Sequence, residues 1–205
     1  MSLGPADADA FERCIASGGV AIFPADTVYG LACDPDSPEA VARLYALKGR
    51  APDKPSAVMF FALDPALDAL PELGARTRRA LHALLPGAVT VLVDNPRRRF
   101  APACGPDPGT LGLRVPALGA STAALHAVGL PAAQSSANLA GAPEARELDE
   151  IAPALRVGAD LAIDGGRLPG VASTVIDLRD YERGGWRVLR AGAVGPEALA
   201  AALDP

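Results

Sequence analysis

Histidine is nearly missing from this chain of 205 residues, where His82 and His126 are the only two. It is the commonest general acid–base residue and the commonest metal ligand, so catalytic triads and His-based metal sites are nearly excluded. Cysteine is scarce as well. Cys14, Cys33 and Cys104 make an odd number with no C-x-x-C pair, which argues against a disulfide framework and against zinc; no metal site is read from the chain. No run approaches eighteen consecutive apolar residues, although half of the composition is hydrophobic, so no transmembrane helix is expected. The opening MSLGPADADAFER is acidic and lacks the basic and apolar regions of a secretory signal. A soluble, cytoplasmic protein without membrane contact is expected. A phosphate-binding G-x-x-x-x-G-K-S/T loop is missing too: Gly165 to Gly170 has the glycine spacing, but Val171 follows, so any ATP must be held by another arrangement.

Lysine is the last scarcity. Of the nineteen basic residues, only Lys48 and Lys54 are lysines. A lysine is a compact charge with three rotatable donors and an arginine a planar fork, so the two are not interchangeable at a tight site. Their appearance within seven residues marks the stretch around Arg50 as a candidate anion site. The formal net charge of −5 speaks against stable RNA binding through phosphate contacts, and Arg76, Arg78, Arg79 and Arg97 to Arg99 read as solvated surface.

Apolar periodicity places a first helix over Asp7 to Ser17, ended by Gly18-Gly19. A strand over Val20 to Phe23 runs through Pro24 into a loop that carries Asp26, Thr27 and Tyr29 and closes at Gly30. A helix follows from its cap Ser37 and from Pro38, apolar at Ala40, Val41, Leu44, Tyr45 and Leu47, ending in Lys48, Arg50 and Lys54. Further strands read from Ala57 to Leu63, Val89 to Val93, Thr110 to Val115, Pro131 to Ser135, Leu161 to Asp164, Ser173 to Leu178 and Trp186 to Leu189. Further helices read from Thr77 to Leu85, Ser121 to Val128, Asp149 to Leu155 and Pro196 to Leu203, and Asp94 to Gly109 reads as a long, mobile surface loop. Strands and helices mix without strict alternation, which favours one α/β domain with a mixed sheet over a regular Rossmann fold.

The run CDPDSPEAVARLYALKGRAPDK, with PADTVYGL before it, strongly resembles the YrdC-type threonylcarbamoyl-AMP synthase family in its short, single-domain form. PGAVT (Pro86 to Thr90), TLGLRVP (Thr110 to Pro116), SAN (Ser136 to Asn138), STV (Ser173 to Val175) and Leu189-Arg190 follow in family order. The resemblance implies a single domain over residues 1–205, a twisted parallel and antiparallel sheet flanked by helices, with a large concave cleft. It implies synthesis of threonylcarbamoyl-AMP and pyrophosphate from L-threonine, bicarbonate and ATP, with Mg²⁺ bridging phosphates. A downstream tRNA threonylcarbamoyl transferase would take the product, and tRNA itself would bind weakly or indirectly.

Carried over position by position, Thr27, Arg114 and Ser173 would contact threonine. Arg50, Lys54, Thr110, Ser136, Asn138 and Arg190 would contact ATP, and Lys48, Arg50 and Lys54 would be the catalytic cations. The chain departs from the family pattern at Ala25, Ala51, Gln134-Ser135, Ala140, Met59 and Glu144, the last two bearing on the threonine pocket and the nucleotide. Two other readings stay open: a paralogue with altered carbamoyl-adenylate chemistry, and a non-enzymatic RNA-binding module.

Overall fold

A strand whose side chains alternate between two environments needs both faces of its sheet accounted for. The computed structural model describes residues 2–203. Among the described residues nine strands form one sheet: β1 (Ala21–Pro24), β2 (Tyr29–Cys33), β3 (Ala57–Met59), β4 (Val89–Asp94), β5 (Thr110–Arg114), β6 (Ala132–Ser136), β7 (Leu161–Ala162), β8 (Thr174–Asp177) and β9 (Arg187–Arg190). Their order is β7-β1-β2-β6-β3-β5-β4-β8-β9. The pairs β1/β7, β3/β5 and β4/β8 are parallel and the other five antiparallel, so the sheet is mixed, as read from the sequence. The helices are α1 (Pro5–Ala16), α2 (Pro38–Lys48), α3 (Leu63–Ala69), α4 (Ala75–Leu84), α5 (Pro153–Gly158) and α6 (Pro196–Leu203).

One face is closed along its length. Leu31, Val58, Val89, Val91, Leu111, Leu113 and Ile176 pack there against Leu44 of α2, Leu81 of α4 and Leu199 of α6. The other face is closed over only half its width. Phe23 of β1 and Phe61 beyond β3 meet Phe11 of α1, with ring centroids 5.2 and 5.4 Å from the Phe11 ring. Met59, Ala32 and Ala132 complete that cluster. Beyond it, the strands β3, β5, β4 and β8 present this face uncovered, as the floor of a cleft.

The structure corrects the sequence reading in several places. The loop after Pro24 ends at Val28, because Tyr29–Cys33 is a buried strand paired with β1 in a hairpin. The apolar stretch Ala57 to Leu63 is not one strand. It leaves the sheet after Met59, and Leu63 opens α3, since a short apolar run has the same look in a strand and in a buried helix. The expected helix at Ser121 to Val128 is a 3-10 turn over Ala123–Ala127. The one at Asp149 to Leu155 divides at Pro153, which starts α5 after a 3-10 turn.

The loop from 94 to 109 is tied down around Asn95, which is fully buried. Its Nδ2 donates to the carbonyls of Arg99 at 2.8 Å and Pro108 at 2.9 Å, and its Oδ1 accepts from Arg99 N at 3.1 Å. These hydrogen bonds close the loop on itself, and it forms a cleft wall carrying Cys104, Pro106 and Asp107. Replacing Asn95 with alanine strands buried backbone groups at a cost of about 1–3 kcal/mol. Urea denaturation of Asn95→Ala is expected to show that loss; a wild-type midpoint would mean that the loop is held elsewhere.

Candidate active site

The cleft has a volume of about 500 Å³ and its floor follows the strand register. A central row runs Gln134, Ala57, Gly112 and Leu92 across β6, β3, β5 and β4. On the same face, two residues along, lie Arg114 and, one step past the Val91–Leu113 pair, Thr90; Val175 and Arg190 extend that row across β8 and β9. Two residues the other way lie Ser136 and Thr110. Adjacent rows on one face are about 7 Å apart, from a rise of roughly 3.3 Å per residue. The central row is small at Ala57 and Gly112, and the flanking rows carry polar side chains at Arg114, Thr90 and Arg190 on one side and at Ser136 and Thr110 on the other.

Arg114 anchors one end. Its side chain is 4% exposed and pairs at 2.5 Å with Asp26, itself 5% exposed. Nη2 donates to Asp26 Oδ1 and, at 2.6 Å, to Thr27 Oγ1, while Nη1 donates to Ser173 Oγ at 3.2 Å. The second Asp26 oxygen accepts from Ala117 N at 3.0 Å. Arg114 Nε is buried without a hydrogen-bond partner. Ser173 Oγ also shares a 2.9 Å hydrogen bond with Thr90 Oγ1, and Arg190 Nη2 donates to it at 3.3 Å and to its carbonyl at 2.8 Å. Gly192 backs this corner so closely that a Cβ there would come within 2.4 Å of the Ala172 carbonyl oxygen.

The opposite end is built on Thr110. Its Oγ1 donates to Asp107 at 2.6 Å and accepts from Arg179 Nη1 at 3.1 Å. Asp177 grips the Arg179 fork at 2.9 and 2.7 Å and also accepts from Arg187; these hydrogen bonds, Arg179's first, hold its carboxyl well below the usual carboxylate range. Arg50 curls onto its own loop, donating to the carbonyls of Lys54 at 3.2 Å and Pro55 at 2.6 Å. Arg50 and Arg190 have no carboxylate partner among the described residues.

Gly49 ends α2 in the left-handed conformation at φ 61° and turns the chain toward Arg50. Just before it, Lys48 is buried. Its Nζ donates to both Asn138 O and Asn138 Oδ1 at 2.8 Å, to Ser136 Oγ at 3.3 Å and to the Ser136 carbonyl. Burial, and then the positive charge of Arg50, lower its pKa to about 8, with Glu144 opposing.

The model of the Sua5/YciO/YrdC family, described as "Telomere recombination", matches residues 13–192. The chain belongs to this family. It is 35% identical over 180 residues to the threonylcarbamoyl-AMP synthase of Xanthomonas campestris, covering 87% of this chain and 95% of that protein. The Bacillus subtilis threonylcarbamoyl-AMP synthase is 29% identical over 91% of the chain, which spans 53% of that longer protein. Among solved structures, P. abyssi Sua5 complexed with L-threonine superposes with a TM-score of 0.83 at 25% identity; the match covers 99% of this chain and 59% of that one. E. coli YciO, at 24% identity and a TM-score of 0.81, covers 97% of this chain and 100% of its own and shows the shared fold.

The Sua5/YciO/YrdC motifs converge on the cleft unevenly. Arg50, Thr110, Arg114, Ser136, Ser173 and Arg190 are on its wall. Thr27 is buried behind Arg114, and Lys48 and Asn138 support Ser136 from behind. Lys54 is exposed on the outer loop and meets Arg50 only through its carbonyl. Met59 is buried among the phenylalanines away from the wall, whereas Glu144 is on it. Sequence reasoning missed Asp26, Thr90, Gln134 and Arg179 as site residues. Asp26 and Thr90 lie inside quoted motifs, PADTVYGL and PGAVT; Arg179 is one arginine among many, with no signal of its own.

Two outcomes follow from this geometry. Arg114→Met leaves Asp26 buried and unpaired, a loss of about 3–5 kcal/mol, and Asp26→Asn in the same chain should restore part of it. A double-mutant cycle in urea reads the coupling; a value under about 0.5 kcal/mol, the scatter of independent sites, would contradict a tight pair. Lys48 generates a pH effect. Between its folded value of about 8 and the ordinary 10.5, the unfolded chain binds the extra proton, so stability rises with pH across that window. Lys48→Met should lack that rise, and parallel slopes for both proteins would show that Lys48 titrates normally.

Proposed function

We propose that the chain is a threonylcarbamoyl-AMP synthase. One observation carries the reading: Ser173 hydrogen-bonds Arg114, Thr90 and Arg190 of one row, with Ser136, Thr110 and Arg50 beyond the central row, in a chain 35% identical to a protein of that name. In this reading L-threonine lies over the Arg114 row, where Ser173 and Arg114 contact it and Thr27 orients Arg114. ATP lies toward Ser136, Thr110, Arg50 and Arg190, with Lys48 and Asn138 fixing Ser136 and Lys54 reaching phosphate from the outer loop.

The threonine amine adds to the carbon of bicarbonate with loss of water, giving N-carboxy-threonine. A carboxylate oxygen of that group attacks the α-phosphorus of ATP, the bond from that phosphorus to the bridging oxygen of the β-phosphate breaks, and pyrophosphate leaves. Unneutralised Arg50 and Arg190 stabilise charge on the phosphoryl oxygens, so catalysis is mainly positioning and electrostatics. ATP enters as its magnesium complex. Among the described residues no cluster of three or more His, Cys, Asp or Glu side chains could hold a metal, and in this reading the ion's ligands are phosphates and water. The product is a mixed carbamic–phosphoric anhydride, which a downstream tRNA threonylcarbamoyl transferase in the cytoplasm would consume.

Pyrophosphate release from ATP should require both L-threonine and bicarbonate. ATP turnover indifferent to either co-substrate would favour a paralogue with altered carbamoyl-adenylate chemistry.

A further inference from the structure

We propose that Gln134 is a catalytic residue whose amide grips the carboxylated amine of N-carboxy-threonine. The inference rests on the reading of the cleft given above and extends it to a side chain that none of the motifs covers. Gln134 lines the cleft at 6% exposure, and its amide makes no hydrogen bond to any described residue. A primary amide carries two N–H donors and a carbonyl acceptor, and without protein partners these face the cleft, open to a ligand. The fold makes room for it: a Cβ on Gly30 would come within 2.9 Å of Gln134 Nε2, so a side chain there would evict the amide.

Its place on the sheet says which ligand atoms it meets. Gln134 heads the central row, between the Arg114 row and the row of Ser136 and Thr110. Those two flanking rows lie about 13 Å apart, four residues along a strand. With threonine over the first row and the ATP contacts, Arg190 apart, toward the second, the carboxylated nitrogen and the α-phosphorus meet over the middle in this reading. Next to it in that row come Ala57 and Gly112, whose small size lets reacting atoms approach the sheet, and Leu92 ends the row. The hydroxyls of the flanking rows already have protein partners: Thr90 and Ser173 bond each other, and Thr110 bonds Asp107 and Arg179. Ser56, also at the cleft, has a buried hydroxyl without a partner, but of the four central-row residues only Gln134 has a polar side chain, and its amide offers a donor and an acceptor on separate atoms.

A carbamate fits that pair. One carboxylate oxygen of R–NH–CO₂⁻ lies on the same side as the N–H, so the group offers an acceptor and a donor side by side. The Gln134 amide offers the complement, Nε2–H to the oxygen and Oε1 to the N–H, in a cyclic two-bond contact. That contact leaves the second carboxylate oxygen free to attack phosphorus and transfers no proton to Gln134. Bicarbonate presents a similar pair, its O–H beside an oxygen, so the amide can hold the same carbon before and after it joins the threonine amine.

The test compares wild type with Gln134→Met, close in shape but apolar, and Gln134→Glu, close in shape but charged like the carbamate. Melting temperatures confirm folding of each. Losing two hydrogen bonds should lower kcat/KM for bicarbonate by about ten- to hundredfold in Gln134→Met, with a larger loss in Gln134→Glu. The Kd for L-threonine alone and the KM for ATP should stay within about twofold, since one to two hydrogen bonds are worth more than that when made. Unaltered bicarbonate kinetics in both variants would overturn the proposal, as would a loss falling equally on threonine or ATP binding. Should wild type itself turn over without bicarbonate, the reading of the whole cleft fails; a bicarbonate-dependent wild type with unaffected variants removes only the Gln134 assignment.

Discussion

A buried guanidinium fixes this site. Arg114 carries a charge out of water, and such a group persists only where its partners are placed to receive it. Those partners come from three separate places: Asp26 and Thr27 from the β1–β2 hairpin, Ser173 from the start of β8, and, through Asp26, the backbone of Ala117. The hairpin, the central strands and the far side of the sheet are thus held in one arrangement by one side chain. Sheet packing on the closed face sets the strand order, and Arg114 sets how the loops sit on the open one.

The arginines of the cleft divide by what neutralises them. Arg114 and Arg179 are clamped by Asp26 and Asp177, so they act as rigid fixtures with little charge to offer. Arg50 and Arg190 rest on backbone and hydroxyl oxygens only, and their charge remains for an anionic ligand. Lys48 belongs to neither group: it is buried behind the wall and knits Ser136 and Asn138 to the end of α2. Other basic residues are taken up structurally. Arg78 caps the carbonyls of Leu67, Leu70 and Leu73, and Arg76 lies 4.6 Å over the Tyr181 ring. That segment, set beside a net charge of −5, gives little support to an RNA-binding face.

The sequence made the mixed sheet and most of its strands legible because alternation along Thr110 to Val115 and Val89 to Val93 reflects two different environments. It concealed β2, since Tyr29–Cys33 is buried on both sides and does not alternate. For the same reason it ran β3 into α3. Motif residues indicated the cleft correctly where the side chain itself faces the wall, as at Arg50, Arg114 and Ser173. They did not tell a wall residue from its support: Lys48 and Asn138 carry the same polar signature as Ser136, and only three-dimensional placement separates them. The lysine scarcity pointed to Lys48 and Lys54 alike, yet one is buried and the other exposed. Gln134 stood out only as a departure from the family pattern, because an amide in a strand is informative only once its neighbours are known to leave it unpaired.

In the proposed reading, with threonine over the Arg114 row and ATP toward Thr110 and Ser136, the bicarbonate carbon ends up bonded through oxygen to the α-phosphorus. NMR of a reaction with ¹³C-bicarbonate, L-threonine and ATP observes that bond directly. The cleft geometry predicts a ¹³C carbonyl resonance split by coupling to a single ³¹P nucleus, growing in step with pyrophosphate. AMP and pyrophosphate accumulating while all of the ¹³C stays in bicarbonate and dissolved carbon dioxide would contradict it.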